Sequence, residues 1–227
     1  MAEHPLLLSI VVPTLNEEAN VALLLGDLER LATPHQVIVA DGGSTDLTVD
    51  VVRAAGAELV MSGRGRGIQL RTGAAAARAP LLLFIHADTR LDAAALAVLE
   101  EVAVARPPCA MAFRLRIDAD GLSYRLIEWG TNLRSRLLTL PYGDQGLVVR
   151  REDYVRAGGY LPLPLMEDVA LVRALRRITH VHLLDAAIEV SARRWQADGP
   201  LRRMLKNWVP AARRMLLQQL PIDGGDS

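Results

Sequence analysis

Four short apolar segments alternate with helix-like segments through the first hundred residues, and this alternation constrains the fold most strongly. The apolar segments, which predict strands, are LLLSIVV (6–12), QVIVA (36–40), AELVM (57–61) and LLLFI (81–85). The segments of helical character that follow them are 16–31, 45–55, 68–79 and 92–103, the first with Asn16 as its cap. Strands alternating with helices at this pace predict a mostly parallel sheet with helices on both faces.

The alternation becomes less regular after Pro107 and Pro108. The pattern predicts strands at 110–117 and 146–150, helices at 122–138 and 168–178, and two short strands at 180–184 and 187–195. We therefore expect one α/β domain over 1–227, in which a regular half of nucleotide-binding type (about 6–108) precedes a less regular half (about 109–200) and a basic amphipathic tail (201–227).

Composition excludes several classes of protein. The chain has 26 acidic and 26 basic residues, which argues against a nucleic-acid partner. Cys109 is the only cysteine, so no disulfide forms within the chain. The N-terminus has no basic segment before its apolar run, and no apolar run approaches the ~20 residues of a membrane span. These features predict a cytoplasmic location, at most peripheral at the inner membrane surface.

Polar motifs stand at the ends of all four predicted strands. They are PTLNEE (13–18), ADGGSTD (40–46), SGRGRG (62–67) and HADT (86–89). Ligands bind outside the carboxyl ends of strands in parallel sheets, so four such ends predict one site. The third motif is not a dinucleotide fingerprint, because Ile68 occupies the place where the last glycine is required.

Together with LMEDVALVRALRR (165–177) and SARRW (191–195), these motifs resemble those of family-2 glycosyltransferases with the GT-A fold. The resemblance covers about residues 6–195 and implies that 6–108 is the half that binds the nucleotide-sugar donor and 109–200 the acceptor half. It implies an enzyme that transfers a sugar from a nucleotide-diphosphate sugar to an acceptor hydroxyl. It further implies inversion at the sugar carbon and dependence on a divalent cation, Mn²⁺ or Mg²⁺.

The resemblance assigns several residues to the donor. Asp41 matches the family aspartate that accepts a hydrogen bond from the base, although many relatives carry a second aspartate where this chain has Gly42. Arg66 suits the diphosphate, since guanidinium binds phosphate bidentately. The stretch that lines the base and ribose corresponds to Pro13, Thr14, Asn16 and Glu17. Structural alternatives remain: Asp41 capping a turn, Asn16 and Glu17 only starting a helix, and Arg66 in a solvated loop.

The motif HAD departs from the family pattern. Relatives usually have Asp-x-Asp here, and Asp88 matches the last position, whose carboxylate holds the cation. His86 replaces the first aspartate; a neutral imidazole can ligate Mn²⁺ or bind the ribose or phosphate. Alternatively, His86 is a strand-end histidine bonded to backbone.

The acceptor side is predicted around two acidic motifs. Glu167 and Asp168 match the family's Glu-Asp pair, in which the aspartate is the general base on the acceptor hydroxyl. Adjacent carboxylates can raise one pKa, which suits a base near neutral pH. Asp168 also fits a helix cap. Asp144 and Gln145, in YGDQG, fit either a sugar-binding loop or a structural turn.

The C-terminal motifs are weaker. SARRW has Ser191 where processive relatives have glutamine, yet Arg194 and Trp195 can still hold a phosphate or stack on a sugar, and Trp195 can equally pack in the core. The tail places basic residues beside apolar ones, with no acid between Gly199 and Ile222. It therefore fits packing on its own domain, a homodimer contact or contact with an anionic membrane.

Two other functions stay open. A catalytically silent nucleotide-sugar-binding scaffold is consistent with His86 in place of aspartate. A sugar nucleotidyltransferase has a similar sheet, but PTLNEE lacks the glycine-rich basic loop that such enzymes carry after the first strand. Neither the sugar nor the acceptor (small molecule, lipid or glycan) follows from the motifs.

Overall fold

The computed structural model describes residues 5–141 and 143–192 of the 227-residue chain. In these residues eight strands form one sheet, in the order β3-β2-β1-β4-β7-β6-β8-β5. The strands are β1 Leu8–Thr14, β2 His35–Asp41, β3 Glu58–Met61, β4 Leu81–Phe84, β5 Thr89–Arg90, β6 Cys109–Asp118, β7 Leu147–Arg150 and β8 His180–Ser191. The helices are α1 Glu18–Leu28, α2 Thr48–Ala54, α3 Arg66–Ala76, α4 Ala93–Ala105, α5 Leu122–Leu138, α6 Arg151–Arg156 and α7 Glu167–Leu175.

The first four strands are parallel, as predicted. β1 continues through Pro13, which the sequence placed at its end. The Val11 carbonyl accepts the N–H of Ile85 on the β4 side, and Pro13, two residues further on, faces that same side. β4 ends at Phe84, opposite Val11, so the missing N–H of Pro13 removes no ladder hydrogen bond.

Helices cover both faces of the sheet, which confirms the predicted layers. On one face α1, α2 and α4 bury their apolar sides against β1, β2 and β4. On the other face α3, α6 and α7 pack on the alternate side chains of the same strands. A Cβ on Gly73 of α3 would lie 2.5 Å from Cγ1 of Val11, so this helix approaches β1 as closely as its backbone allows.

The second half is less regular, as predicted, and its elements differ from the predicted ones at several points. β7 runs antiparallel between β4 and β6. The two short strands predicted after residue 180 are one strand, β8, because a bulge absorbs the break: its pairing with β6 shifts from Ala112↔Leu183 to Arg114↔Ala187. The short elements β5 and α6 were not predicted. α5 has the predicted bounds and packs through Ile127 on β6 and β8.

The region after Ala192, including Arg194, Trp195 and the basic tail, lies outside the described residues. In the described part of the chain no helix combines the length and apolar character that a membrane span requires.

Candidate active site

The carboxyl ends of β2, β1 and β4 lie side by side at one edge of the sheet. Thr14, the last residue of β1, is in register with Asp41, the last residue of β2. β4 lies on the other side of β1 and leads into His86 and Asp88. The residues at and after the ends of β1, β2 and β4, which belong to the motifs PTLNEE, ADGGSTD and HADT, therefore lie at the same edge of the sheet, as predicted.

Asp41 is fully buried and holds the loop that follows β2. One carboxylate oxygen accepts the backbone N–H groups of Gly43 (2.9 Å) and Ser44 (2.8 Å). The other accepts the hydroxyls of Thr14 (2.9 Å) and Ser44 (2.5 Å). Since four protein donors occupy the carboxylate, a base N–H can reach it only by displacing one of them. The geometry favours the turn-capping interpretation over the predicted direct contact with a base.

These hydrogen bonds also make Asp41 a source of pH-dependent stability. Burial alone would raise the pKa of Asp41, but the hydrogen bonds from Ser44, Thr14 and Gly43 outweigh it and lower the pKa. A lowered folded-state pKa contributes stability above the unfolded-state value of about 4, and that stability is lost as the pH falls through the folded-state pKa.

We expect Asp41→Asn to reduce the free energy of unfolding by about 1–2 kcal/mol near neutral pH, because an amide replaces a charged acceptor. The difference from the parent should be smaller at about pH 3, below the ordinary aspartate pKa, because the ionic contribution is lost as the pH falls toward the lowered folded-state pKa. Urea denaturation of both proteins near neutral pH and at about pH 3 measures this difference in the free energy of unfolding. Asp185→Asn, at a 97% exposed side chain, is the control. An equal loss at both pH values would contradict the ionised role of Asp41.

Gln69, which sequence reasoning missed, fixes the space beside Gly42. Its side-chain amide, buried in α3, donates to the carbonyls of Thr14 (2.6 Å) and Ala40 (3.1 Å) and so joins the ends of β1 and β2. A Cβ on Gly42 would lie 3.0 Å from that amide nitrogen. Gln69 thus occupies the room that a second aspartate would need, and its only signal in the sequence is a polar residue in an alanine-rich helix.

Asn16 and Glu17 brace the same loop. Asn16 has φ +56° and does not cap α1 as predicted; Glu17 precedes the helix. The Asn16 side-chain oxygen accepts the N–H of Thr45 (2.8 Å), and the Glu17 N–H donates to the hydroxyl of Thr48 (2.9 Å). Both residues therefore position the segment after β2, and Asn16 is exposed at its surface.

Arg66 joins the donor half to the acceptor half. It is the first residue of α3, and its Nε donates to the buried carboxylate of Glu167 at the start of α7. Burial lowers the pKa of Arg66, but the negative charges of Glu167 and Asp168 raise it by more. The Arg66 side chain remains 37% exposed. Arg66 therefore does not lie in a solvated loop, which was the structural alternative to a role at the diphosphate.

His86, Gly143 and Asp168 meet at one point. The Gly143 N–H donates to Oδ2 of Asp168 (2.6 Å). A Cβ on Gly143 would lie 3.2 Å from that same oxygen and 3.3 Å from Nε2 of His86. The imidazole at the end of β4 and the carboxylate at the start of α7 therefore face one small space, which exists because residue 143 has no side chain.

The turn Gly143–Gln145 contains the two residues predicted to form either a sugar-binding loop or a structural turn, Asp144 and Gln145. Their surroundings differ. Gln145 is fully buried, accepts from the hydroxyl of Ser135 (2.6 Å) and donates to the carbonyl of Phe113 (3.1 Å), which favours the structural-turn interpretation. Asp144 has a buried Oδ1 that no hydrogen bond satisfies within the described residues. Burial raises the pKa of Asp144 despite the nearby Arg134, and the charge of Asp168 raises it further.

The predicted cation ligands were His86 and Asp88. Among the described residues no three His, Cys, Asp or Glu side chains are grouped as a metal cage. Mg²⁺ and Mn²⁺, however, bind in many enzymes through one or two carboxylates with substrate phosphates as the other ligands. The two predicted ligands, Asp88 and His86, follow β4 directly and are of residue types that fit such a partial ligand set.

An α/β sheet of this topology, with polar side chains gathered at the carboxyl edge of its parallel strands, has the GT-A fold of nucleotide-sugar transferases. The chain belongs to glycosyl transferase family 2, whose family model matches residues 9–157.

Solved structures share this fold. A mannosyltransferase from Pyrobaculum calidifontis, in complex with GDP-Man and Mn²⁺, superposes with a TM-score of 0.69 at 18% identity over 93% of this chain and 65% of that one. Glucosyl-3-phosphoglycerate synthase from Mycobacterium tuberculosis, in complex with Mn²⁺ and UDP, superposes with a TM-score of 0.59 at 19% identity over 81% of this chain and 70% of that one.

Curated relatives match over shorter segments. An uncharacterized glycosyltransferase of Mycobacterium tuberculosis is 34% identical over 86 residues, which are 37% of this chain and 38% of the relative. Validoxylamine A glucosyltransferase of Streptomyces hygroscopicus subsp. limoneus is 48% identical over 54 residues, 22% of this chain and 12% of that protein. The chain thus matches less than half the length of these relatives.

Proposed function

We propose that this protein transfers a sugar from a nucleoside-diphosphate sugar to an acceptor hydroxyl, with inversion at the anomeric carbon, and that it requires a divalent cation. The observation that carries the proposal is the convergence of His86 and Asp168 on Gly143. It puts a carboxylate from the acceptor half opposite the HAD motif of the donor half, as attack on a bound donor requires.

On the donor side, the loop that follows β2 is the surface on which we place the nucleotide. Asp41 and Asn16 hold this loop, and Gln69 joins the ends of β1 and β2 beside it, so its surface is fixed before a ligand arrives. Pro13 and Thr14 end β1 beside it. The fold relatives in complex with GDP-Man or UDP support a nucleoside diphosphate as the donor's leaving group.

On the acceptor side, Asp168 is the proposed general base. Its Oδ2 is already oriented by the N–H of Gly143, and its side chain is partly exposed. It accepts the proton of the acceptor hydroxyl as that oxygen forms a bond to the anomeric carbon. The bond from this carbon to the diphosphate oxygen breaks with its electron pair, which leaves a nucleoside diphosphate.

The charge of the leaving diphosphate is offset by two sources. When bound, a divalent cation supplies Lewis-acid stabilisation of the phosphate oxygens, and Asp88 with His86 would hold it. Arg66 supplies a permanent positive charge at the start of α3, and its pairing with Glu167 fixes where that charge lies.

A panel of nucleoside-diphosphate sugars, incubated with the protein and candidate acceptors, tests the proposal through release of nucleoside diphosphate. We expect release with at least one donor in the presence of Mn²⁺ or Mg²⁺ and at least a tenfold loss after chelation, of the order that removal of Lewis-acid stabilisation produces.

The same panel distinguishes the other functions. Donor binding in calorimetry without release or transfer would favour a silent nucleotide-sugar-binding protein. Release of pyrophosphate from a nucleoside triphosphate and a sugar phosphate would favour a nucleotidyltransferase. Turnover that is indifferent to chelation would contradict the proposed cation requirement.

A further inference from the structure

One face of α5 carries a continuous line of apolar side chains that points away from the protein. The line, called here the α5 stripe, consists of Leu122, Leu126, Trp129, Leu133 and Leu137. Spacings of three and four residues keep it within an arc of about 80° over about 22 Å of helix. Four of its members are largely exposed: Leu122 89%, Leu126 64%, Trp129 64% and Leu137 69%.

The opposite face of α5 is attached to the domain, so this orientation is fixed. Ile127 and Thr131 are buried there. The Asn132 side chain accepts the N–H and donates to the carbonyl of Leu115 in β6 (2.8 and 3.0 Å). Glu128 accepts the N–H of Ile117 (2.6 Å). The stripe cannot turn inward without breaking these bonds.

Other exposed apolar residues in the described part of the chain are scattered. Leu23, Leu47, Val104 and Val155 lie on or beside different helices. Single apolar residues of this kind are normal on soluble proteins, whereas a continuous exposed line marks an interaction surface.

The charges around the stripe indicate what covers it. α5 contains three arginines against one acid, Glu128, and the exposed Arg136 lies along one side of the line. The Arg125 guanidinium is held against the domain, because it donates to Glu128 (2.9 Å) and to the carbonyls of Ile117 (3.1 Å) and Ala119 (2.6 Å). A basic amphipathic helix with leucines and a tryptophan on its apolar face is typical of helices that lie in an anionic membrane surface.

We propose that the α5 stripe docks on an anionic lipid bilayer. Leucine and tryptophan side chains enter the boundary between headgroups and acyl chains, while Arg136 lies at the level of the lipid phosphates. A second copy of this chain suits the stripe less well, because the facing α5 offers Arg136 no free carboxylate: its one acid, Glu128, is bound to Arg125.

Docking in this way brings the candidate site close to the bilayer. Ser135, on the inner side of α5, donates to Gln145 in the turn whose first residue, Gly143, contacts Asp168. The membrane proposal stands on the stripe alone and is independent of the proposed transfer reaction.

Vesicle flotation with the full chain tests the proposal. The probes are vesicles of phosphatidylcholine alone and of an equimolar mixture of phosphatidylcholine and phosphatidylglycerol. We expect binding to the anionic vesicles, weaker binding at high salt, and a partition coefficient at least about tenfold lower for Leu126→Gln/Trp129→Gln.

A matched control is Leu23→Gln/Val104→Gln, which removes two exposed apolar side chains from α1 and α4 and should leave binding unchanged. Thermal unfolding verifies that both double variants fold. A variant that keeps only Trp129 of the three tryptophans, made by Trp195→Phe/Trp208→Phe, should show a blue-shifted emission on anionic vesicles.

Several results would overturn the proposal. The parent protein could fail to bind the anionic vesicles. Leu126→Gln/Trp129→Gln could bind as well as the parent, which would assign binding to the basic tail. Sedimentation velocity could show that this variant abolishes a dimer without changing vesicle binding, which would assign the stripe to a second copy.

Discussion

Asp168→Asn is expected to lower the rate of sugar transfer about a hundredfold to ten-thousandfold, the usual contribution of a general base. The amide keeps an oxygen that can accept the Gly143 N–H, so the start of α7 retains its position. What the variant loses is the ability to take the proton of the acceptor hydroxyl. Donor binding should therefore stay within about twofold of the parent.

Two measurements test this expectation once a donor is identified. Initial rates of nucleoside diphosphate release give the transfer rate, and calorimetry gives the donor Kd. Asp185→Asn is the matched control, since that side chain lies at the surface in the β8 bulge, paired with Arg114. Full turnover by Asp168→Asn with unchanged donor affinity would remove Asp168 from the role of base.

Gly67→Ala is expected to destabilise the fold by about 2 kcal/mol, or to lower the Tm by about 5 °C in a protein of this size. A Cβ at residue 67 would lie 2.3 Å from the backbone carbonyl oxygen of Leu161 and 3.2 Å from Cβ of Glu167. A backbone carbonyl cannot rotate away as a side chain can. The start of α3 must then move, and the adjacent Arg66–Glu167 ion pair with it.

Gly26→Ala is the comparison for this variant. Gly26 is also helical, in α1, but no atom lies within 4 Å of its added Cβ. Alanine there should raise the free energy of unfolding by about 0.5–1 kcal/mol, the ordinary helix-propensity gain over glycine. Equal effects of the two substitutions in urea denaturation would show that the close approach at Gly67 has little energetic weight.

Most of the parallel half could be predicted because its signals are local. An apolar run such as QVIVA predicts a strand that is buried on both faces, and the pattern of the next segment, 45–55, predicts a helix. The ends of parallel strands share one edge, so the placement of Asp41 and His86 at that edge followed from strand order, and the approach of Asp168 to His86 followed from the family resemblance. Acidic motifs in the second half were also placed correctly at the start of α7 and in the turn before β7.

The details that could not be predicted depend on contacts between distant segments. Asp41 can be buried because the hydroxyls of Thr14 and Ser44 donate to its carboxylate. The sequence ADGGSTD alone does not predict these two hydrogen bonds. The role of Gln69 arises only once α3 lies against β1 and β2. The β8 bulge depends on pairing with β6, so a local reading splits this strand at Asp185.

The ion pair between Arg66 and Glu167 has a consequence for how the polypeptide can be divided. Its members are 101 positions apart in the chain, and Glu167 is almost completely shielded from solvent. A fragment that stops before β6 would strip β4 of its antiparallel neighbour β7 and leave the arginine without its counter-charge. The complementary fragment would hold a desolvated anion, which is costly. We therefore expect that neither half folds alone and that two co-expressed pieces would have to associate before either became compact.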